Sequence, residues 1–210
     1  MSPTPAPDDA TAPSASVRFF DAQFRLQAAA GERLLNPFEQ HALPHLQGHV
    51  LDWGCGLGNL SLAAAECGCD VLALDASPAA ITALRATAAS RGLVVDAQQV
   101  DLRNHEPAAD TFDAAVAIGL LMYLDCATAQ RQLARLQAAV RPGGVVVLNV
   151  LIEGTTYMDM FDSDQHCLFA ADEPARAFDG WTLLHHALED FDAPRGLRKR
   201  FATVIARRPT

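Results

Sequence analysis

Asp52, Gly54, Gly56 and Gly58 stand at alternate positions in an Asp-x-Gly-x-Gly-x-Gly run that starts within the strand-like stretch 49–53 and precedes Leu60-Ser61-Leu62-Ala63-Ala64-Ala65. Glycines at that spacing let the main chain turn tightly and approach a ligand with no Cβ in the way. A helix opening just after such a turn offers free N–H groups and the positive end of its dipole to an anion. A second chemical signal lies one element further on. Asp75 closes the apolar run 70–75, 21 residues after Gly54. That is close to the ~20 residues at which an acidic side chain grips ribose hydroxyls at the end of a second strand. The pair of signals points to a nucleoside-bearing ligand with an anionic group.

These residues need a scaffold of alternating strands and helices, and the rest of the chain supplies the pattern. Helical spacing over 18–30 places Phe20, Phe24 and Leu26 as apolar positions, and Asn36-Pro37 reads as N-cap and first residue of a short helix to about residue 46. Strands are predicted near 49–53, 70–75, 94–100, 112–118 and 144–152, with helices near 58–67, 78–91 and 127–140. Ser77-Pro78 caps and starts the helix that Gly92 ends. Runs at 180–187 and 198–206 flank a short turn and imply an antiparallel hairpin. The expected architecture is α/β: a doubly wound, mostly parallel seven-stranded sheet with a terminal antiparallel strand. Residues 1–16, rich in Pro, Ala, Ser and Asp, read as an unstructured tail with no basic-then-apolar leader. Residues 17–210 form one domain, with lid helices over about 17–47.

The spacing discriminates between ligands. A dinucleotide fingerprint has Gly-x-Gly-x-x-Gly, but here Asn59 takes its third position and the glycine comes one residue early, at Gly58. The arrangement resembles motif I of the class I S-adenosylmethionine-dependent methyltransferases. In order after it come Asp75, then Asp101 after the 94–100 run, then the 112–118 run leading to Leu120-Leu121-Met122-Tyr123-Leu124, then Arg141-Pro142-Gly143-Gly144. Toward the C-terminus, Phe169 with Glu173, Phe178-Asp179-Gly180-Trp181, Glu189-Asp190 and 200–207 are similar to the tellurite-resistance branch of that family. The hairpin turn 191–196 is shorter than that branch carries and lacks its His-Arg pair.

The resemblance implies S-adenosylmethionine as cofactor, with S-adenosylhomocysteine as product. It implies that N–H groups around 56–60 hold the methionine carboxylate, carbonyls near Gly54 and Ile118 receive its amino group, and Asp101 and Leu102 hold the adenine. The expected cofactor contacts are Phe24, Asp52, Trp53, Gly54, Cys55, Gly56, Asn59, Leu60, Asp75, Ala76, Asp101, Leu102, Ile118 and Gly119. The helix carrying Phe20, Asp21, Gln23 and Phe24 is expected to close over the cofactor.

The acceptor pocket of such a sheet lies beyond the C-terminal ends of the strands, where Glu153, Tyr157 and His166 are the candidate catalytic groups. The acceptor is expected to be a small molecule, with a tellurium or selenium oxyanion or a thiol as candidates. Arg195, Arg198 and Arg200 could recognise an oxyanion or serve as solvated charges of a sheet edge. The alternatives are an NAD(P)-binding Rossmann oxidoreductase and a cofactor-binding module without catalysis.

Composition narrows the classes further. The chain has 210 residues, half of them apolar and a fifth charged, with a net charge of −9. That is enough for one soluble domain with a real core. The acidic balance argues against nucleic acid or an acidic membrane as partner, and no apolar run approaches the ~20 residues of a membrane span. Monomer and homodimer stay open. Five cysteines without a Cys-x-x-Cys pair predict no disulfide framework and no metal site, and hence a reducing cytoplasm. Cys67 and Cys69 are expected to be small buried fillers.

Overall fold

A computed structural model describes residues 15–30, 34–161 and 165–210. Of the predicted tail only residues 15 and 16 are described, and they already belong to the first helix. One seven-stranded sheet runs in the order β3-β2-β1-β4-β5-β7-β6. Its strands are β1 (His49–Trp53), β2 (Asp70–Asp75), β3 (Asp96–Gln99), β4 (Phe112–Ile118), β5 (Val140–Leu151), β6 (Thr182–Ala193) and β7 (Leu197–Arg207). Pairings through β5 are parallel, and β7 is antiparallel to both β5 and β6. The one reversed strand therefore sits next to the edge, as the hairpin composition requires. The helices are α1 (Ala15–Ala30), α2 (Pro37–Ala42), α3 (Asn59–Glu66), α4 (Pro78–Arg91), α5 (Cys126–Ala139) and α6 (Glu173–Arg176).

Successive side chains of a strand point to opposite faces, and each face of this sheet has its own core. Leu51, Trp53, Ala115 and Ala117 face a layer with Leu133 and Leu136 of α5, Phe169 and Phe178. Val50, Ala114 and Val116 face Leu60 and Leu62 of α3 and Ile81 and Leu84 of α4. Local signals set the helix ends. Asn36 and Glu39 form a reciprocal capping box on α2. Ser77 caps α4 through Ala80 N, and Gly92 ends α4 in the left-handed region at φ +68°.

Several expectations need correction. β5 begins at Val140 rather than near 144, because Arg141-Pro142-Gly143-Gly144 is absorbed as an irregularity opposite Phe112 and Ala114. β3 covers only 96–99, and Val94, assigned to it, is 85% exposed. Cys126, at the start of α5, forms a disulfide with Cys167, 41 residues on. The argument from cysteine spacing to no disulfides, and from there to a reducing compartment, loses its premise. Cys67 is exposed, so it is not a buried filler, and Cys69 is half-buried at the edge of the core. Among the described residues no helix is long and apolar enough to cross a membrane.

Candidate active site

The strand order reverses at β1, between β2 and β4, and the crevice outside the C-terminal ends of these strands is where an open α/β sheet binds its ligand. The β1–α3 turn lines it. Gly54 and Cys55 donate their N–H groups to the Leu74 carbonyl at 2.8 and 3.0 Å, which folds the turn back onto β2. Gly54 has φ +83° and Gly58 φ +71°, values that L side chains rarely adopt. Space forbids a side chain as well. A Cβ on Gly58 would lie 2.4 Å from Leu84, and one on Gly54 2.9 Å from Leu120.

Three carboxylates gather around this turn. Asp75 accepts from Gly56 N at 2.9 Å and from Ser77 N at 2.8 Å. Burial pushes its carboxyl up, opposed by the N–H groups of Ser77, Gly56 and Ala76. Asp52 is only 6% exposed and accepts from Ser61 Oγ at 2.5 Å. Burial raises its carboxyl to about 7 against that hydrogen bond, and the charges of Glu39 and Asp75 raise it further. Glu39 is itself held up by burial. Asp101 is different. The Arg103 guanidinium, with Nη2 at 2.6 Å and Nε at 2.9 Å, holds its carboxyl below the ordinary range.

These groups line one cavity of about 880 Å³, which lies in the range of roughly 300–1,000 Å³ usual for small-molecule sites. Of the expected cofactor contacts, Phe24, Asp52, Gly54, Cys55, Gly56, Asn59, Leu60, Asp75, Ala76, Asp101, Leu102, Ile118 and Gly119 line it. Trp53 does not. It is fully buried on the α5 side of the sheet, beside His105, because it alternates with Asp52 along β1.

The trio Glu153, Tyr157 and His166 lies outside the lining. The Glu153 side chain is exposed, and its carbonyl accepts from Arg200 Nη1 at 3.4 Å. Tyr157 lies under Lys199 Nζ, 4.8 Å from the ring centroid. His166 packs on Phe161, which packs on Tyr123, each at 5.1 Å between centroids. Tyr123, Leu124, Asp125, Gln165 and Phe20 form the wall beyond β4 instead. The Tyr123 hydroxyl donates to Met160 Sδ at 2.8 Å, and burial raises its phenol. Sequence reasoning also passed over Glu39, Ser77, Gln99 and Arg103. Ser77 had a visible local role as the α4 N-cap, which hid its place at the cavity; Glu39 is the acid of the α2 capping box.

The three arginines of the terminal hairpin are engaged. Arg195 pairs with Asp159, Arg198 with Asp190 at 3.5 Å, and Arg200 with Asp190 at 2.9 Å. The cavity lining carries Glu39, Asp52, Asp75, Asp101 and Asp125 against Arg103, which Asp101 holds. The site is therefore acidic.

The sheet order, the glycine turn and a carboxylate at the switch point together form the crevice in which open α/β sheets bind ligands. Comparison with known proteins narrows it. Residues 50–144 match a family model described as a methyltransferase domain. A malonyl-[acyl-carrier protein] O-methyltransferase of Serratia marcescens is 35% identical over 149 residues, covering 70% of this chain and 53% of that protein. Hemagglutinin 1 of Eikenella corrodens is 30% identical over 170 residues, covering 76% and 54%. The chain spans about half the length of these curated relatives. Among solved structures, TehB of Haemophilus influenzae superposes with a TM-score of 0.72 at 19% identity, over 87% of this chain and 65% of that one. A structure described by the conversion of a disulfide bond into a thioacetal group during echinomycin biosynthesis gives 0.66 at 26% identity, over 92% and 93%. Residues 50–144 thus match a methyltransferase domain, and the fold of the chain resembles TehB.

S-adenosylmethionine is the cofactor of that family, and the residues present fit it. Phe24 closes tightly on the turn, where a Cβ on Gly56 would lie 3.1 Å from its ring. The buried Asn59 Oδ1, in the lining, has no hydrogen-bond partner among the described residues. The acidic lining suits a ligand bearing an ammonium and a sulfonium.

Proposed function

We propose that the protein transfers a methyl group from S-adenosylmethionine to a small-molecule acceptor, with a thiol as the favoured class. The observation that carries the reading is the Asp75 carboxylate, held by Gly56 and Ser77 N–H groups at the mouth of an acidic cavity that continues to Phe20 and Tyr123. When bound, the cofactor supplies an electrophilic methyl: the acceptor's lone pair forms the new bond as the carbon–sulfur bond breaks. Asp75 would hold the ribose, the α3 N-terminus the methionine carboxylate, and Asp101 with Leu102 the adenine. Phe20, Phe24 and Tyr123 would exclude water and orient the acceptor, and such positioning alone can supply much of the rate.

A soft nucleophile that is already ionised needs no base, which suits a cavity with no histidine among the described lining residues. The relative whose structure concerns a disulfide-to-thioacetal conversion supports sulfur as the acceptor atom. His166, linked to the cavity wall through Phe161 and Tyr123, is the candidate base for an acceptor that must lose a proton. A tellurium or selenium oxyanion is the second reading, favoured by the TehB likeness. It would have to compete with Asp159 and Asp190 for the hairpin arginines.

Calorimetric titration with S-adenosylhomocysteine, NAD and NADP tests the cofactor. Micromolar binding of the homocysteine nucleoside alone supports the reading; binding of a nicotinamide dinucleotide instead overturns it. Methyl transfer is then followed with thiols, tellurite and selenite. Tight cofactor binding with no transfer to any of them would leave a binding module rather than this enzyme.

A further inference from the structure

Asp21 sits on α1, outside the cavity lining, yet it reaches the machinery that grips the cofactor. Its Oδ1 accepts from Ser77 Oγ at 2.6 Å and from Ala79 N at 3.1 Å. Ser77 N donates to Asp75 Oδ1 at 2.8 Å, and Asp75 Oδ2 accepts from Gly56 N at 2.9 Å. Ser77 Oγ meanwhile accepts from Ala80 N at 3.1 Å as the α4 cap. One hydrogen-bonded chain thus runs from α1 through Ser77 and Asp75 to the glycine turn. Arg25, one turn along α1, holds the other oxygen of Asp21 at 3.0 Å and fixes the carboxylate's orientation.

We propose that Asp21 is a positioning residue: it latches α1 across the cofactor cavity and, through Ser77, sets the Asp75 carboxylate. The same helix carries Phe20 and Phe24, both in the cavity lining. Phe20 packs on Tyr123 at 4.8 Å between centroids, so the helix bridges the cofactor end and the acceptor wall. A carboxylate at the first turn of α4 also meets two donors and the positive end of that helix dipole. Its carboxyl is held below the ordinary range, by Ser77 above all. Lifting α1 off the cavity would break the Asp21 bonds and the Phe20–Tyr123 contact. The inference rests on the cofactor reading of the cavity.

The test uses Asp21→Ala and Asp21→Asn in the full chain, with S-adenosylhomocysteine as probe. Asp21→Ala removes both acceptors. Expected results are a Kd raised about tenfold, carried by faster dissociation, a higher KM for S-adenosylmethionine with kcat nearly retained, and faster hydrogen exchange over 15–30. Asp21→Asn keeps an oxygen toward Ser77 and Ala79 and should recover most of the affinity. A purely structural role would instead lower the folded fraction without changing Kd or dissociation rate per folded molecule. Native affinity and native exchange of α1 in Asp21→Ala would overturn the proposal. The exchange comparison without ligand reads the latch alone, so it separates failure of the latch from failure of the cofactor assignment, which the unmodified protein's titration reads.

Discussion

Acid is expected to expel the cofactor before it unfolds the protein, through Asp52. Its carboxyl is raised from 3.8 to about 7, chiefly by burial, so it is half-ionised near neutrality. The ionised form, with Asp75 and Glu39 beside it, is the one that attracts the ligand's ammonium group. If only that form binds, Kd scales with one plus the ratio of protonated to ionised carboxyl. From a folded value near 7, affinity falls roughly fivefold from pH 7 to 6 and roughly fiftyfold from pH 7 to 5. Asp75, also raised by burial, adds to the loss at the acid end. Stability without ligand runs the other way. Between the unfolded value of 3.8 and about 7 the folded state binds more protons than the unfolded state, so this group's contribution falls as pH rises. Over about three units that is on the order of 4 kcal/mol, fully lost above the folded value. The assay is calorimetric titration with S-adenosylhomocysteine from pH 5 to 7, beside thermal midpoints of the ligand-free protein. Asp52→Asn keeps an oxygen for Ser61 Oγ, should bind weakly at every pH with a flattened profile over 6–7, and should raise the midpoint at pH 8. A flat native profile, or an unchanged slope in Asp52→Asn, would refute the reasoning.

Cys126→Ser opens a 41-residue loop and is expected to cost about 4 kcal/mol in urea unfolding, the same loss that a reductant causes in the native chain. Equal stability of variant and oxidised native protein would contradict the pairing. Gly58→Ala must adopt φ +71° with its Cβ 2.4 Å from Leu84, so a loss of at least about 2 kcal/mol is expected, with weaker S-adenosylhomocysteine binding. A native thermal midpoint would show that the turn relaxes freely. Trp53→Phe should destabilise by about 1–3 kcal/mol and leave Kd per folded molecule unchanged, since the indole lies in the core. A changed Kd at full folding would return Trp53 to the cavity.

The parts of this molecule that local chemistry determines were readable in the residues. Asn36-Pro37 and Ser77-Pro78 start helices because an N-cap acceptor and a preset φ act within four residues. Asp52, Gly54 and Asp75 fall at the cavity because the period of a strand and the length of one βαβ unit set where they emerge. The same period, applied one residue further, puts Trp53 on the opposite face, so its assignment as a contact conflicted with the alternation that placed Asp52. What was not readable depends on segments distant in the chain. Cys126 meets Cys167 because β5 carries the chain back past the start of α5, where Cys167 N bonds the Met122 carbonyl at 3.0 Å. No spacing rule encodes a return of 41 residues. The hairpin arginines read either as anion ligands or as solvated edge charges, and nothing local shows that Asp159 and Asp190 hold them. Glu39 and Asp21 illustrate the remaining gap. Each carries a complete local explanation, one as a capping-box acid and one as the partner of Arg25 at i+4. The sequence pattern leaves Glu39 unremarked and places Asp21 only on a helix expected to close over the cofactor, yet both side chains act at long range: Glu39 raises Asp52, and Asp21 bonds Ser77 56 residues away. Acids that look fully employed within their own helix are therefore the ones whose contribution to binding only the tertiary contacts reveal.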